Sequence, residues 1–288
     1  MVWVNDIIQG ILLGGLYALF AAGLALVFGV MRLVNLAHGD FSILAAYLAL
    51  AFVGLLDINP FYTLAIVIVI MAVFGYVIQR GLFNFAMDAG PMQAILATFG
   101  IAIIIQNLLL EGFTANSKGL DAGQIENAVI TISKQITVGW FPLITLLASV
   151  VVLLALQWFL ARTRMGRAFR ATADNQRAAQ LMGIDNRHLY GMAMAVALAI
   201  VAIGGVFIGI RTTFSPGAGP FRLIFAYEAV IIGGLGSLWG TLVGGIVLGI
   251  AQVLGDHIHQ GWGILIGHLV FLAILAFRPQ GLFARQVQ

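Results

Sequence analysis

"YEAVIIGGLGSLWGTLVGGIVLG", residues 227–249, is apolar enough, and at about 20 residues long enough, to read as one crossing of a lipid bilayer. Gly233, Gly234, Gly236 and Gly240 interrupt it, and each glycine inside a helix costs about 1 kcal/mol against alanine. Two half-helices meeting inside the membrane would explain the interruption. Close packing would explain it too, since Gly240 with Gly244 and Gly245 with Gly249 fit the small-xxx-small pattern that lets helix backbones approach. The two readings are compatible, and the choice between a simple crossing and a re-entrant, discontinuous segment sets the topology of everything after it.

Outward from this stretch the chain keeps the same character. Of its 288 residues 61% are hydrophobic and 9% charged, against about a quarter charged in a soluble domain, so this is an integral membrane protein. Apolar spans fall near 7–30, 38–56, 61–79, 92–110, 141–160, 189–210, 227–253 and 262–277, which predicts an all-α polytopic bundle of about eight spans forming a single domain over 1–288. Helices are required because open strands cannot satisfy their backbone in lipid. The start "MVWVNDIIQ" carries Asp6 and no Lys or Arg, the wrong charge for a signal peptide, so the first span reads as a retained helix. Cysteine is absent and the formal charge is +3, which excludes disulfides and thiolate metal sites and gives no reason to expect nucleic acid.

Between 161 and 188 stand Arg162, Arg164, Arg167, Arg170, Arg177 and Arg187 against Asp174 and Asp185, whereas the loop 111–140 sets Glu111, Asp121 and Glu126 against Lys118 and Lys134. The positive-inside rule makes 161–188 cytoplasmic and 111–140 external. Counted forward as simple crossings, the tail "RPQGLFARQVQ" would lie outside despite Arg278 and Arg285. A discontinuity within 227–253 restores the parity.

An ionisable residue inside the membrane costs about 2.5–3.5 kcal/mol on insertion scales and marks a pathway or a pairing. Asp40 and Glu228 are the candidates, each beside a break: "AHGDFSILAAY" (37–47) in the first half matches in role "FAYEAVIIGG" (225–234) in the second. The bland reading is that both acids cap helices, where the dipole contributes about 0.3–1 kcal/mol. His38 reads as a helix-start donor rather than a metal ligand. Gln106 and Asn107, with Thr98 and Phe99 nearby, read as interhelical hydrogen bonding. His257 and His259 are two apart and face different sides of a helix, so no zinc or other metal site is expected.

Segment 161–188 is the least lipid-like in the chain. Asp174 or Asn175 can cap a short helix with Ala178, Ala179 and Leu181 on its small face, and Gly183 can end it. Such an element suits docking. With Lys118 and Lys134 as its lysines, the chain has no phosphate-binding loop, and it carries neither a nucleophile elbow nor suitably spaced carboxylates. Catalysis is not expected.

Taken together, "GLYALFAAGLALVFGVMRLVNLAHGDFSILAAYLA" (15–49), "RATADNQRAAQLMGID" (170–185), "YEAVIIGGLGSLWGTLVGGIVLG" (227–249) and "RPQGLF" (278–283) resemble the LivH-type permease subunit of bacterial ABC importers for branched-chain amino acids, over essentially the whole chain. The resemblance implies translocation of branched-chain or related hydrophobic amino acids across the bacterial inner membrane. It also implies a homologous LivM-type permease, two cytoplasmic ATPase subunits holding the ATP and Mg, and a periplasmic binding protein, with no cofactor in this chain. By motif, Ala173, Asp174, Asn175, Ala178, Ala179, Gly183 and Ile184 fall where such permeases couple to the ATPase, although Ala-Asp-Asn stands where the related loop of other importers has Glu-Ala-Ala. Asn35, His38, Gly39 and Asp40 look like the polar entry to a discontinuous helix, and Tyr227, Glu228, Gly233 and Gly234 complete the candidate substrate pathway. Relatives of the same architecture carry urea, short amides or aromatic acids. An ion-coupled secondary transporter is the rival from another class, since discontinuous helices also suit ion coupling, and a membrane scaffold without flux is a third reading.

Overall fold

A computed structural model describes residues 2–133 and 136–283, the side chains of 132 and 133 excepted; Lys134 and Arg285 lie outside the described residues. The helices are α1 (Val2–Met31), α2 (His38–Leu56), α3 (Pro60–Ile78), α4 (Asn84–Ala89), α5 (Pro91–Phe113), α6 (Gln124–Asn127), α7 (Trp140–Arg162), α8 (Arg164–Asp174), α9 (Gln176–Leu181), α10 (Asn186–Arg211), α11 (Gly219–Gly233), α12 (Leu238–Ile258) and α13 (Gly263–Phe277). Strands β1 (Val129–Ser133) and β2 (Ile136–Gly139) form one antiparallel hairpin. Seven helices are long and apolar enough to cross a membrane, taking α3 with its continuation to Ala89; α11 and α13, at 15 residues each, are shorter.

The bundle has two distinct ends. Lys118 pairs its backbone with Phe214, Leu120 N donates to Gly209 O, Asn59 Nδ2 to the carbonyl of Ala122, and Gln9 Nε2 to that of Thr137, so the start of α1 and the hairpin share one end. At the other, Asn84 Nδ2 donates to the carbonyl of Arg187 and the exposed Arg187 guanidinium pairs with Asp88. Leu282 N and Phe283 N donate to the carbonyls of Ile232 and Gly233. This second, basic end therefore holds segment 161–188 and the described part of the C-terminal tail together.

Inside, α1 and α10 are buried along most of their length. The antiparallel seam between α1 and α12 runs on glycine. A Cβ at Gly14 would stand 2.4 Å from Ile246 Cα, and one at Gly249 2.3 Å from the carbonyl oxygen of Gly10, so the backbones touch as small-residue packing allows.

The discontinuity expected within 227–253 is present, and its form differs from a re-entrant segment. Residues 219–258 form two antiparallel helices, α11 and α12, joined by a break at 234–237. Gly234 (φ +101°) and Gly236 (φ +82°) adopt left-handed backbone that side chains resist, and Ser237 Oγ caps α12 by accepting from Gly240 N. A Cβ on Gly29, near the end of α1, would lie 3.5 Å from Gly236. The half-helices thus meet at the basic end of the bundle and not inside the membrane. The parity is restored all the same, because the chain traverses twice here.

Candidate functional site at the crossing of α2 and α11

Two helices start at mid-depth. The 30 residues of α1 span about 45 Å at 1.5 Å per residue. His38, the first residue of α2, holds the Phe20 carbonyl through Nε2 at 2.9 Å, eleven residues before α1 ends. That is about 16 Å inward, near the middle of a hydrocarbon layer about 30 Å thick. Residues 32–37 must return that distance without a helix, and six extended residues reach about 20 Å.

Non-helical backbone at such depth survives only when protein groups satisfy it. Here Leu36 N donates to Thr98 Oγ1 at 3.2 Å, and Ala37 N to Asn35 Oδ1 at 3.0 Å. Asn35 is fully buried. Thr98 therefore tethers the coil to α5, and Asn35 acts as the local turn-former.

α11 begins at the same depth. A Cβ on Gly39 would fall 2.0 Å from the Gly219 carbonyl oxygen, and one on Gly219 2.0 Å from Asp40 Oδ1, so α2 and α11 cross glycine to glycine. Pro220 in the first turn of α11 presets its backbone for the start. α2 proceeds to the hairpin end, where Tyr47 packs on Phe113 and Phe214, and α11 runs to the basic end.

At the crossing Asp40 Oδ1 accepts from Gln106 Nε2 of α5 at 2.9 Å, while Oδ2 is buried without a partner. Asp40 sits in the first turn of α2 and so gains from the dipole, but α2 has no side-chain cap at Ala37. His38 departs from the expected helix-start role: its ring bonds across to α1.

Glu228 departs further. It is the tenth residue of α11, well clear of any helix start, so the capping alternative fails for it. Its Oε1 meets His268 Nδ1 of α13 at 2.5 Å, and the His268 ring stacks on Phe225. Phe225 also touches Tyr17, whose hydroxyl donates to Gln252 Oε1. Nine residues along a helix turn about half a circle past whole turns, so Gly219, against Asp40, and Glu228 face opposite ways. Asp40 and Glu228 are not brought together; each closes a separate interhelical contact.

The remaining pathway candidates divide as well. Tyr227 is partly exposed, and its buried hydroxyl lies against the Asn35 backbone. Gly233 and Gly234 belong to the basic end: a Cβ on Gly233 would lie 2.1 Å from the Gly240 backbone, and Gly281 covers Gly234. Among the described residues no three His, Cys, Asp or Glu side chains converge as a metal set would.

In the basic segment, Asn175 caps α9 by accepting from Ala178 N, and Gly183 (φ +85°) follows its end. The expected small face is divided. Ala179 is buried within the chain, whereas Ala178 is exposed and Leu181 and Met182 are 89% and 83% exposed. Ile184 is half-buried, and its N–H donates to the Ala179 carbonyl. Asn186 donates to the Gln176 carbonyl, tying the segment to α10. A cleft of about 280 Å³ lies between Met31 and Arg32 on one side and Ala173, Asp174 and Asn175 on the other.

Sequence reasoning passed over His268, Gln252 and Tyr17. His268 was findable as the ionisable residue in the apolar run of α13; its partner, forty residues away in sequence, was not.

Among known proteins, the chain is 27% identical to the high-affinity branched-chain amino acid transport system permease protein BraD of Pseudomonas aeruginosa and 26% identical to the corresponding LivH protein of Escherichia coli K12. Each alignment covers 98% of this chain and 96% of the relative. It is 28% identical to the autoinducer 2 import system permease protein LsrC of Salmonella paratyphi B, over 76% of this chain and 64% of that protein. No solved structure matches. The family described as the branched-chain amino acid transport system permease component matches residues 7–275, so the glycine seam, the mid-depth crossing and the basic segment all lie within that match, and the chain belongs to that family.

Proposed function

We propose that this chain is the translocating subunit of an ATP-driven importer for branched-chain or related hydrophobic amino acids in a bacterial inner membrane. The observation that carries the reading is the crossing of α2 and α11, two helices that begin at mid-depth beside a coil held by Thr98 and Asn35. Broken helices at the midplane are where transporters place their substrate path. The chain is not itself an enzyme. A second, LivM-type permease pairs with this chain, two ATPase subunits carrying ATP and Mg act on the basic end, and a periplasmic binding protein delivers substrate to the hairpin end. The basic end is then cytoplasmic and the loop 111–140 external, in keeping with the charge bias.

Asp40 and Glu228 act here as structural and electrostatic elements, each committed to a neighbouring helix. The test is reconstitution of the assembled importer with ATP inside the vesicles and the binding protein outside. Leucine uptake should require ATP and persist with a protonophore. Uptake that collapses with the protonophore at constant ATP would assign the chain to ion-coupled transport instead.

A further inference from the structure

Two arginines stand beside the crossing without an anion. Arg211 is the last residue of α10 and Arg222 the fourth of α11. Arg222 Nη2 donates to Thr212 Oγ1 at 2.9 Å, which draws the two helix ends together. Both arginines are partly buried, and Tyr17 of α1 lies near each of them. Such a pair is costly in a membrane protein, where cations normally find an acidic or carbonyl partner.

That partner is missing. Arg211 Nη1 and Arg222 Nε are shielded from solvent with no acceptor. The acid partners seen in Arg187 with Asp88, His257 with Asp6 and His268 with Glu228 do not extend to either arginine. Glu228, on the same helix as Arg222, meets His268 through Oε1, and its Oε2 is buried without a hydrogen-bond partner, the guanidiniums included. Each guanidinium thus keeps an unfilled donor, Nη1 of Arg211 and Nε of Arg222, and a guanidinium is suited to a carboxylate. Phe221 and Ile224, 45% and 47% exposed on the same stretch of α11, set apolar surface beside them.

We infer that Arg211 and Arg222 form a carboxylate-binding site at the hairpin-end approach to the crossing, and that it takes the carboxylate of the transported amino acid while Phe221 and Ile224 meet its aliphatic side chain. The inference rests on the importer reading and sharpens it, because urea and short amides lack the anionic group that two guanidinium cations neutralise.

The test is equilibrium binding of radiolabelled leucine to the assembled importer in nanodiscs, with 3-methylbutylamine, the same chain without its carboxylate, as competitor. Wild type should bind leucine and ignore the amine. Arg222→Gln and Arg211→Gln should each weaken leucine binding about tenfold or more, as loss of a charge-assisted hydrogen bond does, with Arg222→Lys intermediate and thermal unfolding of the complex unchanged. Unaltered leucine affinity in both glutamine variants overturns the site. So does a wild type in which the amine competes as well as leucine.

A lipid phosphate could meet the same donors. In that case wild-type stability would rise in phosphatidylglycerol over phosphatidylcholine, the glutamine variants would lose that rise, and leucine affinity would not move; this result also overturns the proposal. Binding is read without ATP, so the site is judged separately from transport: leucine binding lost in the variants with no ATP-driven uptake in wild type would retain the site and sink the importer reading.

Discussion

The two oxygens of Asp40 lead different lives: Oδ1 accepts from Gln106, and Oδ2 is buried without a partner. An amide at this position keeps an acceptor for Gln106, so Asp40→Asn should retain measurable uptake. Asp40→Leu removes it and leaves the Gln106 amide unpaired, at about 1–3 kcal/mol. A lowered unfolding temperature of the purified complex, with uptake lost, is the expected result. Glu228→Gln should likewise keep part of the function, since its carbonyl can still accept from His268, whereas His268→Leu should cost more than the glutamine change. Equal losses in Glu228→Gln and Glu228→Leu would show that the charge itself is needed. Neither partnership was legible in the chain. Hydropathy marks Asp40, Gln106, Glu228 and His268 as polar groups in apolar runs, but separations of 66 and 40 residues are set by helix packing, which one sequence does not display.

At the scale of elements, the spans were legible because apolar length is a direct physical requirement of the bilayer, and the break at 234–237 was legible because glycine weakens a helix wherever it stands. The start of α11 was not. "SPGAGPFR" (215–222) falls outside the expected spans, yet Pro220 occupies a first-turn position where proline favours a helix start, and the tertiary contact of Gly219 with Gly39 decides the matter. The seam between α1 and α12 gives a sharp expectation. Gly249→Leu would drive its side chain into the Gly10 backbone and should abolish folded protein, while leucine at Gly54, where no atom lies within 4 Å, should be tolerated; detergent-stable yield by size exclusion checks both. In the basic segment the burial of Ala179 moves the proposed docking surface to Leu181 and Met182. Ala179→Arg should therefore unfold the segment from within, visible as faster amide exchange over 176–184. Leu181→Asp should leave exchange unchanged and abolish ATPase copurification, and unimpaired copurification would remove Leu181 from the contact.

For the whole molecule, the parity of crossings depends on α11 and α12 being two traverses. α10 runs from the basic end to the hairpin end, the chain returns to mid-depth by Gly219, α11 reaches the basic end, α12 goes back, and α13 comes home to Arg278. One traverse over 219–258 would put the tail at the hairpin end, yet Leu282 N and Phe283 N are bonded to the end of α11. The sequence contains no cysteine, so single cysteines report sidedness without a background to remove. Ser117, in the loop after α5, should react with an impermeant thiol reagent added to intact spheroplasts. Gln176 and Gln280, both exposed at the basic end, should react only once the membrane is opened. Labelling of position 280 from outside with position 176 protected would mean that the tail and the basic segment lie on opposite sides, which the pairing of Phe283 with Gly233 forbids. Labelling of 176 and 280 from outside with 117 protected would instead preserve the fold and invert it, carrying the proposed ATPase surface to the wrong face and ending the importer reading at its largest scale.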